Sequence, residues 1–173
     1  CVEIKGHDIE RLCEVIFASV KGKKAVFKKE FIGKNPSVIL KEIGMTVSDE
    51  IRLAICEVDK DHPLAWSEQL MPVMPIVRAS NVDEAIDMAV AYEGGCRHTA
   101  CMHSTNVMKL SRMAKLINSS IFVKNGPSFA GLGMGGEGYT SFTIASPTGE
   151  GLTTAINFSR ERRCTLVEAF RIV

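Results

Sequence analysis

The stretch "HTACMHSTNVMKLSRMAKLINSSIFVKN", residues 98–125, is the part of the sequence that says most about the fold. Its centre, residues 106–118, repeats apolar residues at helical spacing, and its two ends, residues 98–104 and 119–125, are short runs that favour strands. A helix of this length between two strands predicts a right-handed crossover and parallel pairing of those strands. The segment therefore predicts an α/β fold.

The remainder of the chain continues the same alternation of helices and strands. Helical periodicity or capping residues predict helices over residues 6–20, 35–45 and 80–95, whereas apolar runs predict strands over residues 51–58 and 71–80. A basic, partly strand-like segment lies at residues 22–34, and the tail "CTLVEAFRIV", residues 164–173, also favours a strand. We expect one domain over residues 1–173 with a three-layer architecture, in which helices cover both faces of a largely parallel sheet.

Composition excludes several classes of protein. The chain has 173 residues, 46% of them hydrophobic, and a formal net charge of +1, so no overall field favours nucleic acid or a membrane surface. No apolar run approaches the roughly 20 residues that span a bilayer. Six scattered cysteines lack the spacing of a disulfide scaffold, which predicts a reducing, cytoplasmic compartment. Because the sequence opens on Cys1 without an initiator methionine, we expect a fragment of a longer protein.

The glycine-rich stretch "NGPSFAGLGMGGEGYTSF", residues 125–142, matches the dinucleotide-binding pattern G-x-G-x-x-G at Gly131, Gly133 and Gly136. That pattern requires a helix after the glycines, because the helix N-terminus holds the pyrophosphate. Residues 137–151, "EGYTSFTIASPTGEG", favour strand and loop instead. The sequence therefore indicates a glycine-rich active-site loop or turn rather than a pyrophosphate site.

The segment "CRHTACMH", residues 96–103, contains two cysteines and two histidines. In a strand, Cys96 and His98 point to one face and Cys101 and His103 to the other, which disfavours a single zinc site and favours buried thiols beside hydrogen-bonded histidines. His98 stands at the entrance of the predicted strand, where an imidazole could carry a proton in catalysis. A structural histidine bonded to the backbone is the alternative, and spacing alone favours it.

Two further charged segments have ordinary explanations. Glu68 lies in a short polar turn before an apolar strand, where its carboxylate could accept hydrogen bonds from a sugar diol or could be an unremarkable surface acid. The run "SRERR", residues 159–163, could bind phosphate or form a solvated turn. Neither segment identifies a function by itself.

Five long strings together resemble a known family. They are "GKNPSVILKEIGM", "DHPLAWSEQLMPVMPIVRASNVDEAI", "RHTACMHSTNV", "IFVKNGPSFAGLGMGGEGYTSFTIASPTGEG" and "RERRCTLVEAFRIV". In this order they resemble the C-terminal part of the catalytic domain of the CoA-acylating aldehyde dehydrogenases, and above all the propionaldehyde and acetaldehyde dehydrogenases of bacterial microcompartments. The resemblance runs from about residue 24 to the end. It implies the aldehyde dehydrogenase fold and a cytoplasmic enzyme that can be enclosed in such a microcompartment.

The resemblance also implies a reaction and its residues. In this family a cysteine thiolate attacks the aldehyde, NAD accepts a hydride, and CoA takes the acyl group from the resulting thioester. No cysteine of this chain matches the nucleophile, so we expect it upstream. Glu68 resembles the glutamate that holds the nicotinamide ribose, and His98 resembles a proposed acid/base, which reverses the preference from spacing. The residues that resemble the loop lining the approach of aldehyde and CoA are Asn125, Pro127, Ser128, Gly131 and Gly133.

Residues 164–173 resemble the family's oligomerisation strand, which implies a homo-oligomer formed by edge pairing. Two alternatives remain open. The chain could be a non-catalytic binding or assembly module that retains the fold. It could also be a thiol-dependent acyl-transfer enzyme that uses Cys96 or Cys101 with His98, which predicts a thiol of low pKa.

Overall fold

The computed structural model describes residues 1–136, 143–144, 152–153, 155–165 and 167. The chain divides into two compact units, Cys1–Gly95 and Cys96–Val173. The assignment of residues 1–173 to a single domain remains a prediction. No helix in the described ranges is both long and apolar enough to cross a membrane.

The first unit contains a parallel three-stranded sheet, an antiparallel hairpin and four α-helices. Its elements are β1 (Val2–Ile4), α1 (His7–Ile16), β2 (Phe17–Lys21), β3 (Lys24–Phe27), α2 (Pro36–Lys41), β4 (Ala54–Glu57), α3 (Pro63–Trp66), β5 (Val73–Ile76) and α4 (Val82–Glu93). The sheet order is β1-β4-β5, with Ile4 opposite Cys56 and Cys56 opposite Pro75. Pro75 is tolerated because β5 is an edge of this sheet and needs no further amide donor there.

The core of the first unit lies between this sheet and its helices. Eleven buried residues form one cluster: Ile4, Leu12, Ile16, Phe31, Ile39, Leu40, Ile43, Ala54, Cys56, Leu64 and Val73. Leu12 and Ile16 occupy one face of α1, as the helical spacing predicts. The central strand β4 buries Ala54 and Cys56 completely, which agrees with the apolar run that predicts it.

The prediction of a helix over residues 6–20 is wrong in its last turn. Helix α1 ends at Ile16, and Phe17 begins strand β2, which pairs with β3 through a turn at Gly22, where φ is +61°. The ring of Phe17 packs edge-on against Phe27 with centroids 5.3 Å apart. This cross-strand aromatic contact favours the strand over continued helix.

Residues with capping preferences stand at the start of α2 and at both ends of α4, although the Asn35 side chain makes no capping hydrogen bond. Asn35 precedes Pro36 at the start of α2. Asn81 Oδ1 accepts hydrogen bonds from the amides of Asp83 and Glu84, each 3.0 Å long, at the start of α4. Gly94 ends α4 in the left-handed conformation, with φ of +67°.

The second unit contains the predicted strand–helix–strand crossover. Its elements are β6 (Thr99–Met102), α5 (Val107–Ile117), β7 (Ile121–Lys124), a 3₁₀ helix (Ser128–Leu132), β8 (Thr143–Ile144), β9 (Leu152–Thr153) and a second 3₁₀ helix (Ala155–Phe158). Strands β6 and β7 are parallel, with Thr99 opposite Ile121 and Met102 opposite Lys124. The predicted α/β fold with largely parallel pairing is therefore confirmed.

Parts of two predictions fall outside the described residues. Of residues 137–151, predicted as strand and loop, the structure describes only strand β8, which pairs antiparallel with β9 just after them. Residues 166 and 168–173 of the predicted C-terminal strand lie outside the described residues.

Candidate functional site

His98 stands at the amino end of β6, as predicted, with an exposed side chain. Its Nδ1 lies 2.7 Å from Thr99 Oγ1, and its backbone carbonyl accepts a hydrogen bond of 3.1 Å from the amide of Ile121. When Nδ1 carries the hydrogen and donates it to Thr99, Nε2 keeps its lone pair. In that tautomer the imidazole is held at one nitrogen by a hydroxyl and presents the other as a base.

The residue before His98 has an unusual backbone. Arg97 has φ of +54°, in the left-handed region that residues with a side chain rarely adopt. Its carbonyl accepts a hydrogen bond of 2.8 Å from Ser120, which ties this bend to the start of β7. A left-handed residue held in this way turns the chain sharply and sets the direction from which His98 enters β6.

The glycine loop folds back along β7 toward the end where His98 lies. The 3₁₀ helix Ser128–Leu132 begins after Pro127 and ends at Gly133, where φ is +91°. A Cβ at Gly131 would lie 2.2 Å from Ile121 Cγ2, so only glycine permits this approach. Because the amide of Ile121 also bonds to His98, the structure brings Gly131 and His98 to the same end of the β6–β7 pair.

Asn125 lies at the opposite end of the same two strands. Its Oδ1 accepts from the amide of Ser104 at 2.8 Å, its Nδ2 donates to the carbonyl of Ser104 at 3.0 Å, and its φ is +55°. The four-residue strand separates this clamp from His98 by about 13 Å. Asn125 therefore joins the loop after β7 to the loop after β6, and its predicted contact with substrate remains a prediction.

Pro127 and Ser128 lie between these two ends and are both exposed. Together the predicted loop residues form a path along β7, from the clamp at Asn125 to the contact of Gly131 with Ile121. Ser104, which sequence reasoning missed, holds one end of this path. Its only local signal is its place two residues before Asn106, whose amide donates to Ser104 Oγ at 3.0 Å as α5 begins.

Glu68 belongs to the first unit, in the turn between α3 and β5, and its side chain is exposed. Its neighbours are held: Ser67 Oγ accepts from the amide of Ala25 at 2.7 Å, and Gln69 Nε2 donates to the carbonyl of Ser67 at 2.7 Å. No hydrogen bond or ion pair joins the Glu68 carboxylate to another residue of the described part. Both oxygens can therefore accept hydrogen bonds from a diol.

Three cysteines have thiols that resist ionisation. Burial raises the pKa of Cys13 to about 12 and that of Cys56 to about 11, and it also raises the pKa of Cys101. For Cys101 this direction contradicts the low pKa that a nucleophile paired with His98 requires. Within the described residues, no group of three or more His, Cys, Asp or Glu side chains could hold a metal ion.

A cleft of about 490 Å³ in the first unit holds none of the predicted site residues. It lies beyond the carboxyl ends of β4 and β5, where ligands bind in many α/β proteins. Arg78 donates two hydrogen bonds to Glu57, of 2.6 and 2.8 Å, and this pairing lowers the pKa of Glu57. Glu10, Asp59 and Lys60 also line the cleft, so acidic and basic side chains occur together in it.

Comparison with curated proteins gives matches over nearly the whole chain. The chain is 48% identical over 173 residues to the acetaldehyde dehydrogenase (acetylating) EutE of Salmonella typhimurium, covering 99% of this chain and 37% of that protein. It is 51% identical over 145 residues to the propanal dehydrogenase (CoA-propanoylating) of the same organism, covering 83% and 31%. No family model matches the sequence.

Solved structures agree with these matches. A Rhodopseudomonas palustris propionaldehyde dehydrogenase with bound CoA and an acylated cysteine has a TM-score of 0.83 and 47% identity, covering 96% of this chain and 37% of that one. An engineered glycolyl-CoA reductase with bound NADP+ has a TM-score of 0.83 and 46% identity, covering 99% and 38%. A propionaldehyde dehydrogenase from the fucose utilisation microcompartment of Clostridium phytofermentans has a TM-score of 0.82 and 41% identity, covering 100% and 39%.

These matches agree in the chemistry of the relatives and in the extent of the overlap. The relatives are aldehyde dehydrogenases that acylate CoA, and the chain spans about 37% of the length of the first curated relative. The resemblance in the sequence is thereby confirmed. The chain is a homologue of the CoA-acylating aldehyde dehydrogenases that spans little more than a third of their length.

Proposed function

We propose that this chain is part of an oxidoreductase that converts a short-chain aldehyde to acyl-CoA with NAD through a cysteine thioester. The observation that carries the proposal is the 48% identity to an acetylating acetaldehyde dehydrogenase across 99% of the chain. The raised pKa values of Cys13, Cys56 and Cys101 disfavour these three thiols as the nucleophile, because a thiol must ionise to attack the aldehyde.

His98 is the proposed acid/base of the reaction. Its Nδ1 lies 2.7 Å from Thr99 Oγ1, so a hydrogen donated there leaves Nε2 to take a proton from the reacting thiol or hydroxyl and later return it. The exposed position of the imidazole at the end of β6 supports this role, because a proton carrier must reach its substrate.

Glu68 is the proposed ligand of the nicotinamide ribose. An exposed carboxylate that bonds to no other described residue fits a ribose diol, since each oxygen can accept one hydroxyl hydrogen. Oxidation at the aldehyde carbon draws on the hydride-accepting chemistry of the nicotinamide.

The loop of Asn125, Pro127, Ser128, Gly131 and Gly133 is the proposed lining of the approach of aldehyde and CoA. Support comes from its course along β7, which ends where Gly131 contacts Ile121 beside His98. The absence of a Cβ at Gly131 lets the loop backbone lie close to β7. This contact holds the loop in position along the proposed approach of aldehyde and CoA.

The proposed assembly is a homo-oligomer in which residues 164–173 add a strand to a neighbouring subunit. The proposed location is the cytoplasm, within a bacterial microcompartment, because one structural neighbour comes from such a compartment. Seven of the ten residues 164–173 are apolar and two are charged, a composition that supports edge pairing.

The test compares the longest natural reading frame that contains this sequence with residues 1–173 alone, measuring NADH formed from propionaldehyde and CoA. We expect activity in the long form only, and a fall in kcat of about 10²–10⁴-fold in its His98→Ala variant. His103→Ala is the matched control, because His103 is also exposed but follows β6. Activity in the short chain would place the nucleophile within it, and inactivity of both forms would favour an assembly module.

A further inference from the structure

The turn that carries Glu68 is anchored on both sides of that residue by side chains of its immediate neighbours. Ser67 Oγ accepts a hydrogen bond of 2.7 Å from the amide of Ala25, which lies 42 residues earlier in strand β3. Gln69 Nε2 donates both to the carbonyl of Leu64 in α3, at 2.5 Å, and to the carbonyl of Ser67, at 2.7 Å. These bonds tie the turn to the β2–β3 hairpin and to the helix before it.

A third anchor follows Glu68 by two residues. Leu70 has φ of +53°, and its carbonyl accepts a hydrogen bond of 3.0 Å from the amide of Gly33. A left-handed non-glycine residue persists only where surrounding contacts hold it. The bonds to Gly33 and from Gln69 supply such contacts on both sides.

The stem of the turn is held as well. Trp66, the last residue of α3, donates from Nε1 to the carbonyl of Lys60 at 2.8 Å and meets the Tyr92 ring edge-on at 4.9 Å. Lys23, at the tip of the hairpin, lies over the Trp66 ring at 4.7 Å and pairs with Asp61 at 2.6 Å. The β2–β3 hairpin therefore contacts Trp66 through Lys23 and the turn itself through the amide of Ala25.

The carboxylate of Glu68 faces solvent, whereas the side chains of Ser67 and Gln69 form hydrogen bonds within the protein. A polar turn at a protein surface needs no such bracing for solubility, because water satisfies its backbone. Bracing of this kind instead limits the positions that the carboxylate can adopt, which is the requirement for holding two hydroxyl groups at once.

We propose that Ser67 and Gln69 are positioning residues for the binding of the nicotinamide ribose by Glu68, and that the β2–β3 hairpin is the brace through which Ser67 acts. The inference rests on the proposed function of Glu68. It adds that affinity for the dinucleotide depends on the hydrogen bond between Ser67 and Ala25, in addition to the carboxylate of Glu68.

The test uses the full-length protein that contains this chain and measures kcat and KM for NAD+, propionaldehyde and CoA. Ser67→Ala removes the acceptor for the amide of Ala25. We expect KM for NAD+ to rise about fivefold, the change in an equilibrium constant that loss of one ordinary hydrogen bond produces. KM for the other two substrates should stay within about twofold, because the turn is proposed to contact only the dinucleotide. Ser67→Thr, which keeps the hydroxyl, should restore the normal KM for NAD+.

A double-mutant cycle with Glu68→Gln separates positioning from general loosening of the fold. If Ser67 acts through Glu68, Ser67→Ala should add no further rise in KM for NAD+ once the carboxylate is gone. Equal effects of Ser67→Ala in both backgrounds, or equal rises in KM for all three substrates, would overturn the inference. If Glu68→Gln leaves KM for NAD+ unchanged, the proposed role of Glu68 fails first. If Glu68→Gln raises it while Ser67→Ala does not, only the positioning role fails.

Discussion

Replacing Gly131 with alanine should destabilise the chain by forcing the 3₁₀ helix away from β7. The new Cβ would lie 2.2 Å from Ile121 Cγ2 and 3.3 Å from Val123 Cγ2, whereas ordinary contact begins at 3.4 Å. The first distance is more than an ångström too short, and both partners are buried side chains that cannot swing away. Overpacking of this kind costs about 1–3 kcal/mol, and we expect a value in the upper half of that range.

Urea unfolding of wild type and variant measures this cost, provided that the slope with denaturant is unchanged. Gly126→Ala is the matched control in the same loop, because its Cβ would meet Val123 Cγ1 at an ordinary 3.4 Å. We expect that control to change the free energy of unfolding by less than about 0.5 kcal/mol. Equal stability of the two variants would refute the packing argument.

A second variant identifies the atom responsible. Ile121→Ala removes the Cγ2 methyl and by itself should cost about 2–5 kcal/mol, since Ile121 is buried. In the double variant with Gly131→Ala, the new methyl occupies part of the vacated space. The combined cost should therefore fall at least about 1 kcal/mol below the sum of the single costs. Strict additivity would show that the clash lies elsewhere.

Three further predictions concern single positions. Asn118 ends α5 with φ of +45°, so Asn118→Ala should lower the free energy of unfolding by about 1 kcal/mol while Asn118→Gly should not, as urea unfolding would show. Asn125→Gly keeps the backbone freedom required at φ of +55° but loses both bonds to Ser104, and a cost below about 1 kcal/mol in the same assay would contradict the clamp. Burial lowers the pKa of His62 below its ordinary 6.5, so its neutral form stabilises the fold fully above that pH, and this contribution is lost as the pH falls through the lowered pKa. His62→Asn keeps an acceptor for the amide of Leu64 and should flatten the fall in stability between about pH 7 and pH 5, whereas an unchanged slope would assign it to other groups.

Helices and strands with strong local signals could be predicted from the sequence. Asn81 and Gly94 bound α4 as expected, because capping depends on residues within one turn of the helix end. The hairpin could not be predicted in the same way, since the apolar spacing of α1 continues through Phe17. Only the pairing of β2 with β3 and the contact with Phe27 end the helix at Ile16.

Some residues of the candidate site could likewise be found from the sequence, and others only from the structure. Glu68 and His98 come from resemblance to a family, and their exposure in the structure is compatible with their proposed roles. Ser67 and Ser104 carry no sequence signal strong enough to single them out. Their partners, Ala25 and Asn125, lie 42 and 21 residues away along the chain, so the bonds exist only once the units have folded.

The order of the residues is enough to predict the alternation of helices and strands, the parallel crossover from β6 to β7, and the kinship with CoA-acylating aldehyde dehydrogenases. Periodicity, caps and long matching strings are properties of neighbouring residues, so they can be read without coordinates. Two features are visible only in the folded chain: Gly131 packs against Ile121 near His98, and Asn125 is hydrogen-bonded to Ser104 at the other end of β7. The reason is physical: close packing and hydrogen bonds act over a few ångströms, and folding alone brings distant residues within that range.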